Sequence, residues 1–179
     1  MKNCNWSPAC VHVLVGMALT LLSPLIHAER LHGRVVAVAD GDTLNLLAEG
    51  RQYTIRIAGI DAPERHQAWN EQSKLNLSRL SLNQTAVADC PRIDPHRTMI
   101  CKLTVKAVDM GLEQVKDGMA WWAKDLARDL SPEDQSACQS AQLMAQLMRR
   151  GLWRETKPIP PWAFRKQGRL FPDKSYPGF

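Results

Sequence analysis

The chain is poor in ring surface other than tryptophan, with two Tyr and three Phe beside six Trp in 179 residues, and it holds only five cysteines. It has no internal repeat, which excludes a solenoid or array, and no shift of composition that marks a second folded domain. It also lacks an apolar run of the ~20 residues that a membrane-spanning helix needs, since the longest, Val11 to Ile26, is shorter. That run follows Lys2 and precedes Ile26-His27-Ala28, so residues 1–28 are expected to be a secretory signal peptide cleaved after Ala28. The protein is then expected to be periplasmic or secreted, with no lasting membrane association. Neither sign of charge is in large excess, with 23 Lys and Arg against 18 Asp and Glu. The leader removes Lys2 and no acid, so the net charge falls from +5 to +4, which suits a polyanionic partner without identifying one. What remains reads as one domain at 29–156 and a Pro-rich basic tail at 157–179.

What is present is concentrated between Asp40 and Glu64, in the stretch DGDTLNLLAEGRQYTIRIAGIDAPE. Apolar alternation from Thr43 to Leu47, a turn signal at Glu49-Gly50 and alternation from Arg51 to Ile60 predict an antiparallel hairpin. Such a hairpin brings its outer ends together, so Asp42 and Asp61 are expected at one rim of the sheet. Arg56 has the parity of Thr54, opposite to Ile55 and Ile57, and so lies on the polar face near those acids. Asp40-Gly41 as a turn and Glu64 as a helix N-terminal acid explain single residues. They do not explain an arginine in mid-strand and three acids converging on one rim. Two Asp and a Glu offer the oxygen donors that a hard cation such as Ca²⁺ takes, and phosphoryl chemistry needs an ion and an arginine of this kind.

The rest of the chain extends this frame. Gly33 to Asp40 predicts a first strand, Gln67 to Leu82 a helix, and Thr85 to Cys90 and Met99 to Val105 two further strands around a loop with Pro91 and Pro95. Five short strands with a helix between the third and fourth make an OB-fold barrel plan, α+β but mainly β, with about three helices. Leu112 and Val115 before Gly118 predict a short helix. Ser131-Pro132-Glu133-Asp134 starts another, which Arg149-Arg150-Gly151 stops. Its expected core stripe is Ala137, Ala141, Met144, Leu147 and Met148. From Lys157 the prolines predict an extended segment that packs through Trp162, or else an arm that stacks on bases.

DGDT, an Arg-bearing strand and IDAPE together resemble the thermonuclease family, the micrococcal or staphylococcal nuclease type, over roughly residues 32 to 153. The resemblance implies a nuclease that cuts DNA and RNA as a monomer. It implies Ca²⁺ on the carboxylates of Asp42 and Asp61 and the carbonyl of Ala62, with Glu64, Arg56 and a second arginine as catalytic residues. The family's second arginine follows a Tyr-Gly pair. Here the run is Asp94-Pro95-His96-Arg97, one residue shorter, and spacing to Gly118-Met119-Ala120 favours Arg97, with Arg92 as the fallback. Cys90 at the end of one predicted strand and Cys101 in the next are candidates to staple that hairpin, as Gram-negative members of the family often do, which leaves Cys138 as a buried helical thiol. A barrel of the same plan that binds nucleic acid without cutting it is the competing reading. Binding alone does not require Asp42, Asp61, Glu64 and Arg56 together.

Overall fold

The computed structural model describes residues 29–170, with side chains as far as Gln167. The expected leader at 1–28 and the end of the tail at 171–179 lie outside the described residues. In chain order the elements are β1 (Glu29–Val38), β2 (Thr43–Ala48), β3 (Arg51–Ile57), β4 (Ile60–Asp61), α1 (Asn70–Ser81), β5 (Thr85–Ile93), β6 (Met99–Val105), β7 (Val108–Asp109), α2 (Met110–Lys116), β8 (Trp121–Trp122), α3 (Pro132–Leu147) and α4 (Pro161–Leu170).

The strands run β3-β2-β1-β5-β6-β7, and β3 returns to pair with β6 in parallel from Ile55↔Met99 to Ile57↔Cys101. That last pairing closes a five-stranded mixed barrel and leaves it no long free edge. Alternation sets which face is buried: Leu44, Leu46, Ile55 and Ile57 fill the interior with Val35, Leu103 and Leu77, whereas Thr54 is exposed and Arg56 half-buried. The β2–β3 turn has both Glu49 and Gly50 at positive φ, as a tight two-residue hairpin turn requires.

The hairpin's second strand is shorter than its alternation suggests. β3 ends at Ile57, and the chain turns at Ala58-Gly59, where Gly59 has φ 75° and an added Cβ would come within 2.4 Å of Leu130. Asp61 therefore comes from a separate short strand, β4, paired with Trp121 of β8. β5 runs on past Pro91 to Ile93, because the register slips between Asp89 and Arg92 and the resulting bulge accommodates a residue without an N–H. A disulfide joins Cys90 to Cys101 beside that bulge.

The helices differ from expectation in three ways. α1 begins at Asn70 rather than Gln67, since Trp69 sits at φ 71°, outside helical space. In α3 the Ser131 hydroxyl caps the Asp134 N–H as expected, but the buried face is Cys138, Ala141 and Ala145, and Leu147 is 78% exposed. Small residues let α3 lie close on α2, which pushes Met144, Leu147 and Met148 outward. The tail from Pro161 is not extended. It forms α4, a fourth helix, and Trp162 is 46% exposed rather than packed.

Candidate active site

The turn from Ala39 to Thr43 presents the first acid. The Ala39 and Asp40 N–H groups donate to the Thr43 carbonyl, and the Asp42 N–H donates to the Asp40 carboxylate at 3.0 Å. Gly41 is required on steric grounds, because a Cβ there would lie 1.8 Å from Ser73 Oγ. The Gly41 carbonyl accepts from Nε2 of the fully buried Gln114 at 2.7 Å, so α2 braces the turn from behind. Asp42 Oδ1 accepts from the Thr43 hydroxyl at 2.8 Å, and Oδ2 from the Ala62 N–H at 2.9 Å. One hydrogen bond thus joins the two acidic segments.

Asp42 and Asp61 are only 5% and 1% exposed. They meet on one nitrogen: Arg56 Nη2 lies 3.0 Å from Asp61 Oδ1 and 3.6 Å from Asp42 Oδ2. Arg56 is placed there by register, opposite Thr43 in β2 and Ile100 in β6. The rim expected from the hairpin therefore forms, although β4 rather than β3 delivers Asp61. Burial pushes the Asp42 carboxyl up to about 6, with Arg56 offsetting the effect only in part.

Glu64 lies two residues beyond Ala62 and is half-buried. It does not cap α1, which begins six residues later. Its N–H instead donates to Gln67 Oε1 at 2.9 Å, while the buried Asn70 donates to the Pro63 carbonyl at 2.9 Å and ties this loop to α1. Asp42, Arg56, Ala62 and Glu64 line a common cleft of about 340 Å³, with Arg65 and Lys74 at its margin.

Neither arginine of the β5–β6 hairpin bonds the acids, although Arg92 lines a neighbouring pocket with Arg56 and Arg165. Arg92 forks onto Asp129 at 2.7 and 3.0 Å. Arg97 is exposed in the turn, at φ 65°, with its N–H donating to the Asp94 carbonyl. It stands three residues before Ile100, the partner of Arg56, about 10 Å along the strand at ~3.3 Å per residue. The arginine that joins Arg56 on the acids is Arg165 of α4. Its Nη1 and Nη2 donate to Asp61 Oδ1 and Oδ2 at 3.1 and 2.8 Å, and Nη1 also donates to Glu64 Oε1. Hydrogen bonding to Asp61, more than to Glu64, raises the Arg165 guanidinium above its ordinary value. Sequence reasoning passed over both Arg165 and Gln114. A Gln on the core side of an otherwise apolar α2 was the available signal for the latter; for Arg165, a basic tail gave none.

Among the described residues no three His, Cys, Asp or Glu side chains gather closely enough to hold an ion by themselves. Two buried carboxylates sharing one arginine nitrogen, with a loop backbone beside them, still fit a hard cation completed by backbone oxygen and water. Buried anions at this density need positive charge. The group can thus pair a cation with a phosphate oxygen, keep a carboxylate next to it, and present guanidinium donors to developing negative charge.

Comparison with known proteins places the chain in a family. The family model of staphylococcal nuclease homologues matches residues 54–155, more than half of the chain, and the protein belongs to that family. An uncharacterized endonuclease of Haemophilus influenzae is 34% identical over 76% of this chain and 74% of its own. Another from Escherichia coli O157:H7 is 29% identical over 79% and 89%. A micrococcal nuclease of Shigella flexneri is 26% identical over 87% and 92%.

Proposed function

We propose that this nuclease-family hydrolase is a Ca²⁺-dependent, sugar-non-specific endonuclease that cuts DNA and RNA phosphodiesters to 3′-phosphate products, acting as a monomer in the periplasm or after secretion. The observation that carries the reading is the meeting of buried Asp42 and Asp61 on Arg56, with Glu64 lining the same cleft. In this reading Asp42, Asp61 and the Ala62 carbonyl hold Ca²⁺, which polarises a phosphate oxygen when bound. Glu64 orients a water and takes its proton as the water oxygen attacks phosphorus. Arg56 donates to the phosphate oxygens as charge builds on them. Arg97, carried over by family likeness, is the proposed second donor and would have to fold inward from its turn. The bond to the 5′ oxygen breaks, that oxygen gains a proton, and the phosphate stays on the 3′ side.

The test is digestion of plasmid DNA and of RNA with millimolar Ca²⁺ or with chelator, followed by end-group analysis. Cleavage that needs Ca²⁺ and leaves 3′-phosphates is expected. Equal cleavage after exhaustive chelation would overturn the metal assignment, and binding without cleavage would return the barrel to a nucleic-acid-binding module.

A further inference from the structure

Arg165 takes up the parts of the acidic site that a cation would use. Its fork occupies both oxygens of Asp61, one of which Arg56 also holds, and its Nη1 extends to Glu64. Fork-on-carboxylate pairing is among the stronger charged contacts a protein makes, and here the carboxylate is almost wholly buried. An ion bound through Asp61 and the Arg165 fork therefore compete for one carboxylate, on which arginine donors already take three of about four acceptor sites. We propose that Arg165 is an active-site residue that holds the cation position beside Asp61 and Glu64, and that a divalent ion binds only by exchanging with its guanidinium. This rests on the nuclease reading above and specifies what the metal must displace.

Charge balance points the same way. Asp42, Asp61 and Glu64 carry three negative charges against the two positive charges of Arg56 and Arg165. A divalent ion added to that group would leave it net positive, whereas a divalent ion in place of Arg165 balances the three acids. The way α4 is attached makes exchange feasible. Among the described residues no helix or strand packs extensively on α4, although Pro161 at its start is buried. The segment leading to it is pinned instead, by Trp69 Nε1 donating to Glu155 at 2.9 Å and Gln67 Nε2 donating to the Ile159 carbonyl at 2.5 Å. Releasing Arg165 therefore breaks side-chain bonds at the site and disturbs no extensive interface, and the tether keeps the helix close by.

The experiment is calorimetric Ca²⁺ binding to the full chain and to Arg165→Ala and Arg165→Lys, with amide hydrogen exchange of α4 in the wild type with and without Ca²⁺. Removing the competitor should tighten Ca²⁺ binding by about tenfold or more, the usual range of a coupling between two linked equilibria. Lys should fall between, because a point charge cannot reproduce the fork. In the wild type, Ca²⁺ should speed exchange in α4. Unchanged or weaker Ca²⁺ binding by Arg165→Ala, or no Ca²⁺ binding by any form, overturns the proposal. So does unchanged α4 exchange at saturating Ca²⁺, a measurement that needs no variant to fold. Tighter binding in Arg165→Ala without nucleic-acid cleavage by any form would sustain this inference and sink the nuclease reading. Cleavage with equal affinities would do the reverse.

Discussion

Arg56 and Arg165 grip the same carboxylate and are held in opposite ways. Arg56 sits in a strand with hydrogen-bonded neighbours on both sides, Thr43 in β2 and Ile100 in β6, so moving it means unzipping the barrel. Arg165 reaches Asp61 across 104 residues of sequence, from a helix with no extensive packing partner among the described residues. The first is part of a frame: Gln114 braces the Gly41 carbonyl from behind, and Asp42 is tied to the Ala62 N–H. The second is laid over that frame. Arg97 belongs with the second kind, since it lies on an exposed turn whose own hydrogen bonds run back to Asp94. Stiff frame and movable cover suit different tasks in the proposed reaction: one would hold a metal and a water, and the other would yield to ion and substrate.

The largest expected effect comes where frame and cover meet. Glu64→Gln should lower turnover about 10²–10⁴-fold with nucleic-acid binding retained, as loss of a proton acceptor does. A variant with near wild-type turnover would leave Glu64 only its contact with Arg165. Next, Arg97→Ala and Arg97→Lys should each lose at least ~10²-fold in turnover, the scale of one transition-state donor, while Arg92→Ala changes little because Asp129 already engages its fork. Dead Arg92→Ala with active Arg97→Ala would show that the family match across this loop is wrong. If both stay active, Arg56 acts without either of them.

The disulfide separates frame from cover differently. It ties the two strands of the β5–β6 hairpin together midway, beside the bulge, so Cys90→Ser/Cys101→Ser should cost roughly 2–3 kcal/mol of folding stability for so short a loop. Ca²⁺ affinity should be little altered, because the β3–β6 pairing at Arg56↔Ile100 and Ile57↔Cys101 runs through the backbone and does not need the sulfurs. Chemical denaturation beside a Ca²⁺ titration measures both, and a large loss of affinity would show that the hairpin is part of the frame. The smallest effect concerns pH. With Asp42 pushed up to about 6 from its ordinary 3.8, proton and ion compete for one carboxylate. Ca²⁺ affinity should fall by about tenfold per unit as pH drops below that value and level off above it. In the metal-free protein the sign is reversed. The stability this group contributes is fully present below 3.8 and lost as pH rises through about 6, because the folded state binds the proton more tightly. An affinity flat down to pH 5 would remove Asp42 from the cation site.

Much of the fold was legible because its signals are local. Ser131-Pro132 starts α3, Glu49-Gly50 makes the hairpin, and parity in β3 sends Arg56 outward. The misreadings share a cause. Pro91 normally ends a strand, and only pairing with β6 shows a bulge that absorbs it. Apolar spacing in α3 favours Met144 and Leu147, but contact with α2 selects the small residues instead. The prolines from Lys157 read as extended chain, yet Pro161 stands at the first position of a helix, where its missing N–H does no harm.

By itself the sequence determined the acids, their order and the strand that carries Arg56, since residue type and a two-residue period decide those without reference to distant parts of the chain. Only the tertiary structure decided that Asp61 arrives on β4 through pairing with Trp121, that Gln114 buttresses Gly41, and that Arg165 closes on Asp61 and Glu64. Each of these joins segments far apart in sequence, and nothing in the local pattern of either partner records where barrel closure will put the other.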